Sequence, residues 1–214
     1  MDQNLKKATD LRIDRVCQAL ERNNMTAVHV TSKEQLFALL EEYIKGYETA
    51  GFGGSMTLGE LGVMDWLRSG KIQLFDRADA KTPEENHAIM RRALTADIFF
   101  MSSNAVTEDG RLYNVDGNGS RVAPLIYGPK SVVVIVGANK LVRDLDEADK
   151  RVKAIAAPAN NLRLATGNPC TKLGSCQDCR NPHRICCHTV ITGFQGEAMK
   201  GRIKVLILDG NYGY

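Results

Sequence analysis

ALTADIFFMSSNAVTEDGRLYNVDGNGSRVAPLIYGPKSVVVIVGANK, residues 93–140, is the stretch on which the fold turns. Residues 98–101 (IFFM) are apolar throughout, which predicts a strand buried on both faces. Residues 104–115 read as a hairpin, because Asp109-Gly110 sits between two short β-prone runs. Asp116-Gly-Asn-Gly-Ser120 is a second turn, rich in residues that tolerate positive φ. Ser120 is placed to cap a short helix over 121–127, which Pro129 would stop. Residues 131–136 (SVVVIV) predict a further buried strand. Strand, polar hairpin, glycine-rich turn, short helix and strand in that order are expected at the mouth of an α/β site. Polar side chains gather there at the carboxyl ends of parallel strands.

The surrounding chain is consistent with that reading. At 214 residues it is long enough for one α/β domain with a sizeable core, so a single domain over 1–214 is expected. Hydrophobic residues make up 43% and charged residues 25%, ordinary values for a globular chain. A net charge of +3 with no long Lys/Arg block argues against nucleic acid as the partner. No apolar run reaches the roughly 18 residues of a membrane span, and the amphipathic start MDQNLKKATDLRIDRV lacks a secretory apolar core. A cytoplasmic location is the expectation, and there cysteines stay reduced or bind metal more often than they pair.

The spacing of apolar residues predicts a helix over 5–22, a strand over 26–30 and a helix over 33–45. Ser32 is the expected cap of the last, with Gln35 in the capping-box position. Gly51-Phe-Gly-Gly-Ser-Met-Thr-Leu-Gly-Glu60 follows, before a helix expected over about 58–68. Gly53 and Gly54 permit close backbone approach, and Ser55 and Thr57 add hydroxyls where a helix N-terminus favours an anion. A tight strand-to-helix turn explains the same glycines without any ligand. Glu60, one turn into the helix, is either a dipole-favoured carboxylate or a general base. A strand over 71–75, a helix opened by Pro83, a helix over 144–155 and last strands over 189–192 and 202–208 complete the pattern. Strands alternating with helices predict a three-layer α/β domain with a mostly parallel sheet.

Within 93–140 the candidate site residues are Asn104, Glu108, Asn118, Arg121 and Lys140. Asn104 and Lys140 follow buried strands, so both fall where clefts form. Arg121 offers a planar fork to a carboxylate or phosphate, although an ion pair with Asp116 competes for it. Glu108 is a carboxylate at the hairpin tip. The polar-aromatic tail 211–214 is expected to fray or to pack on a second copy of the chain.

Cys170, Cys176, Cys179, Cys186 and Cys187 fall in a loop-like stretch over 166–188, spaced C-x5-C-x2-C-x6-C-C. A C-x2-C knuckle commonly nucleates a tetrahedral thiolate site. Cys170, Cys176, Cys179 and Cys186 are the expected ligands of zinc or a [4Fe–4S] cluster. A redox pair at Cys176/Cys179, or reduced thiols with no ligand, are the competing readings.

The run over 96–123 and the element GFGGSMTLGELGV at 51–63 resemble the lactate-utilisation (LUD) domain family, in the family's order. The resemblance implies a Rossmann-like fold similar to the ribose-phosphate isomerase and CoA-transferase superfamily. It also implies oxidation of lactate or a related hydroxy acid with iron–sulfur partner subunits. A non-catalytic metal-binding sensor, and an isomerase or acyl-CoA transferase by fold analogy, are the alternatives. No G-x-G-x-x-G dinucleotide fingerprint is present. All of this requires that the bends at 51–60 and 104–121 face each other across one pocket that holds a small anionic ligand.

Overall fold

A computed structural model describes residues 2–214. Helix α1 (Gln3–Arg22) is capped by Asp2, whose carboxylate accepts from the backbone of Asn4 and Leu5. β1 (Thr26–Val30) leads to α2 (Lys33–Tyr43), where the Ser32 hydroxyl accepts from Gln35 N. Gln35 reaches back to Thr31 N, one residue beyond the usual capping-box partner. β2 (Thr49–Phe52) ends in the glycine loop, followed by α3 (Met56–Glu60) and α4 (Val63–Arg68). The single helix expected here is broken at Gly62, whose φ of 81° lies in the left-handed region.

β3 (Gln73–Leu74), α5 (Pro83–Ala93), β4 (Ile98–Met101) and the hairpin β5 (Ala105–Thr107) and β6 (Leu112–Asp116) come next. α6 (Val122–Ile126) is shorter than expected and is not capped by Ser120. Its preceding turn is held instead by Asp116, which accepts from Gly119 N, and by Asn118, which accepts from Ser120 N. β7 (Ser131–Gly137), β8 (Leu141–Val142) and α7 (Leu145–Arg151) follow. α7 runs through a π-helical turn into α8 (Ala157–Arg163), so the stretch after Ile155 stays helical. α9 (Cys170–Leu173), β9 (His188–Thr192) and β10 (Ile203–Leu208) end the series.

Six strands form a wholly parallel sheet in the order β1-β10-β7-β4-β2-β3. Successive side chains on a strand face opposite ways, and the core divides accordingly. Phe99, Val132, Val134 and Val136 pack against Ile13, Val16 and Leu20 of α1. Phe100, Val133 and Ile135 pack on the other face against Leu36 and Leu40 of α2, Leu58 of α3, Leu67 of α4 and Leu61 between these two. Helix, sheet and helix make the three layers. A second sheet, β8-β5-β6-β9, stands beside this one, with β5 and β8 parallel and the other pairs antiparallel. Among the described residues no helix is long and apolar enough to cross a membrane.

Candidate functional site

The carboxyl ends of β2, β4, β7 and β10 deliver the glycine loop 53–55, Ser102 to Asn104, Asn139 to Lys140, and the tail 209–214 to one end of the parallel sheet. The two bends meet there in direct contact, with the Arg121 stem filling the hollow where an open pocket was expected. Gly53 N donates to Phe100 O at 2.9 Å. A Cβ on Gly53 would lie 2.6 Å from Cγ of Arg121, so only glycine lets the loop and that arginine pass each other.

Lys140 lies at the centre and is 3% exposed. Its Nζ donates to Thr57 Oγ1 at 2.7 Å and to Ser102 Oγ at 3.0 Å. An ammonium has three N–H groups, so the third position holds either a proton or the lone pair of the neutral amine. Burial pushes the amine down to about 7, with Arg151 and Arg121 adding like charge and Glu60 opposing the change. Lys140 therefore exchanges a proton near neutrality, which an exposed lysine does not.

Arg121 has a different role from the substrate clamp that its fork suggests. Nη1 donates to Ser102 O and to Asn114 Oδ1. Nη2 donates to Asn104 Oδ1 at 3.1 Å and Val115 O at 2.8 Å, and Nε faces Asp116 Oδ2 at 3.3 Å. Four of its N–H groups donate to protein atoms, and the fifth faces the Asp116 carboxylate. Asn104 is equally engaged, accepting from Val115 N at 2.8 Å as well as from Arg121. Asn114 is fully buried, and its Nδ2 lacks a partner.

Residues 211–214 do not fray; they fold back onto the residues around Lys140. Thr57 Oγ1 donates to Tyr212 O at 3.0 Å, Asn139 Nδ2 to Gly213 O at 3.1 Å, and Gly213 N to Glu60 Oε2 at 2.7 Å. Ser55 caps α3, accepting from Leu58 N at 3.3 Å. With only five residues in α3, little helix dipole stands behind the loop. Glu108 is turned to α1 and paired with Arg12 and Arg15 at 2.8 and 2.9 Å. Asn118 lies on the outer rim, in an open groove of about 260 Å³ with His87, Met90, Arg91 and Leu94.

The structure thus gathers Gly53, Gly54, Ser55, Thr57, Glu60, Asn104, Arg121 and Lys140, and leaves Glu108 and Asn118 outside. It adds Ser102, Asn139, Arg151 and Arg77. Arg151 donates to Asn139 O and Asn104 O, and so ties the loop after β7 to the loop after β4. Arg77 reaches across the glycine loop, with Nη2 2.7 Å from where a Gly54 Cβ would be. Its guanidinium sits 6.0 Å from the Phe52 ring centre. Ser102 follows β4 directly, as Asn104 does at two residues' remove; Arg77 carries no sequence signal.

In the cysteine loop, all five thiols are free. Cys170 is buried, and desolvation raises its thiol, with charge at Cys176, Cys179 and Cys186 adding to the effect. Cys187 is exposed.

No curated protein matches the chain. A crystal structure of a DUF162 family protein from Deinococcus radiodurans superimposes with a TM-score of 0.55. The match covers 94% of this chain and 98% of that one at 11% identity, a likeness of fold. The family model described as LUD domain matches residues 13–208, and the chain belongs to the LUD domain family.

Proposed function

We propose that the cleft binds a small 2-hydroxy acid such as lactate, and that Lys140 accepts its hydroxyl proton during oxidation. The observation behind this reading is the buried amine held by Thr57 and Ser102 at the ends of parallel strands, with one position on nitrogen left over. The carboxylate would take the mouth of the glycine loop beside Arg77, the nearest guanidinium not enclosed like Arg121. Glu60 favours the charged form of Lys140 through its own charge and accepts only a backbone N–H from the tail, so it is the second acid/base candidate.

Oxidation of a 2-hydroxy acid to the oxo acid releases two electrons and two protons. Lys140 receives the hydroxyl proton, and Glu60 receives the Cα proton as the C–H bond breaks and its electron pair leaves. The electrons require an acceptor outside the cleft, and an iron–sulfur partner subunit of the kind associated with the family would supply it. The ligand would occupy the space that residues 211–214 fill in this conformation, so the tail must move aside.

The test is lactate-dependent dye reduction by the chain together with an iron–sulfur electron carrier. Lys140→Met should lower the rate by about 10²- to 10⁴-fold, the usual worth of a positioned acid/base group. In the unaltered chain the rate should rise with pH through about 7, as the amine becomes neutral. An undiminished rate in the variant would remove the assignment.

A further inference from the structure

We infer that residues 168–187 form a binding site for a thiophilic metal centre, with Cys170, Cys176, Cys179 and Cys186 as its four thiolate ligands. Three separate pieces of this loop are tied together, away from Lys140.

The first piece is the knuckle, where Asp178 N donates to Cys176 Sγ at 3.3 Å. Asp178 has φ of 47°, in the left-handed region. An N–H bond onto a sulfur favours its thiolate form. The knuckle is anchored to the helical layer through Cys176 N, which donates to Lys153 O at 3.0 Å.

The second piece is the start of α9, which carries the buried Cys170. Asn168, just before it, is 1% exposed. Its Nδ2 donates to Asn161 Oδ1 at 2.6 Å and to His183 O at 3.0 Å, tying this arm to the returning one.

The third piece is that returning arm. Arg184 donates through Nη1 to Cys179 O at 2.6 Å and through Nη2 to Cys186 O at 2.7 Å. The same Nη2 lies 3.7 Å from Cys186 Sγ. Four thiolates around zinc or a [4Fe–4S] cluster leave a net negative site, and a guanidinium beside a ligand sulfur offsets part of that charge.

Cys187 differs from the other four. Its Sγ donates to Arg184 O at 3.5 Å, and its N–H donates to Asp116 O at 2.9 Å, which starts the pairing of β9 on β6. It therefore belongs to the strand that leaves the loop. Among the described residues no three His, Cys, Asp or Glu side chains already stand in a ligating arrangement. Binding would thus draw the thiols of Cys176, Cys179 and Cys186, each part-exposed, inward onto Cys170.

The full chain should be purified without oxygen and without chelator. Metal and sulfide analysis with an absorption spectrum then distinguishes the two centres. Zinc gives one ion per chain and no colour; a cluster gives about four irons and four sulfides and absorbs near 400 nm. Either outcome supports the site when Cys176→Ser and Cys179→Ser each cut the metal content at least tenfold, while Cys187→Ser leaves it unchanged. Protease protection of 166–188 in the loaded chain, lost on chelation, reads the same closure without relying on the variants. Metal below a tenth of stoichiometry after reconstitution with zinc and with iron plus sulfide would overturn the inference. So would equal content in all three variants.

Discussion

Lys140 shows how one residue can cost the fold stability and still be held in place. A buried ammonium loses its hydration, and here it has two hydroxyls and no contacting carboxylate in return. Its folded value of about 7 lies below the ordinary 10.5. Between those limits the unfolded chain binds the extra proton, so stability rises with pH across that window. Below about pH 7 both states are protonated and the penalty is complete. Lys140→Met removes the amine and keeps the bulk of the stem. The variant should therefore be more stable than the unaltered chain at pH 6, with the gap narrowing by up to about 1.4 kcal/mol per pH unit above 7. Urea unfolding at several pH values measures it, and a gap independent of pH would contradict the assigned titration. A residue whose removal strengthens the fold is one for which stability is not the explanation.

At the scale of elements, the tail and α3 together decide whether Lys140 can be reached. Gly213 has φ of 61°, and a Cβ there would lie 2.6 Å from Thr57 Oγ1 and 2.9 Å from Thr57 N. Gly213→Val meets both obstacles and should lift the tail away from α3. Reductive methylation at pH 7.5, followed by peptide mass spectrometry, should then modify Lys140 much faster than in the unaltered chain. Equal labelling would mean that the tail is not the cover. The sequence made the strands legible because β4 and the core of β7 are apolar and buried on both faces and β10 departs from that only at Lys204, and the loops after them because clefts form at strand carboxyl ends. Other features were not legible. The break at Gly62 depends on a positive φ inside an otherwise helical pattern, and the tail has no periodicity to show that it folds back. Arg151 and Arg202 are buried and Arg121 nearly so, where arginines in a sequence read as solvated. Arg202 is explained by three carbonyls, those of Pro124, Leu125 and Pro129, that close the end of α6.

At the scale of the whole molecule, Arg121 joins the two sheets. Through Ser102 O it grips the end of β4 in the parallel sheet. Through Asn114, Val115 and Asp116 it grips β6 in the second sheet. Burial works against its charge, and Asp116 supports it. Removing the guanidinium would leave Asp116 without its counter-ion, and would strip the Asn104 and Asn114 carboxamides and two backbone carbonyls of a donor. Losing one partner of a buried pair typically costs about 3–5 kcal/mol. Arg121→Met should therefore destabilise the chain by roughly that amount in urea unfolding. Arg121→Lys should recover only part of it, because a single ammonium cannot span five acceptors set by a planar fork. Gly53 belongs to the same joint, since its missing Cβ makes room for the arginine stem. Gly53→Ala should then be destabilising in the unaltered chain and nearly neutral in Arg121→Ala, where the stem is gone. That non-additivity is the direct measure of the contact. Additive losses would mean that the glycine loop and the two-sheet joint are separate features, and that Lys140 is positioned by the parallel sheet alone.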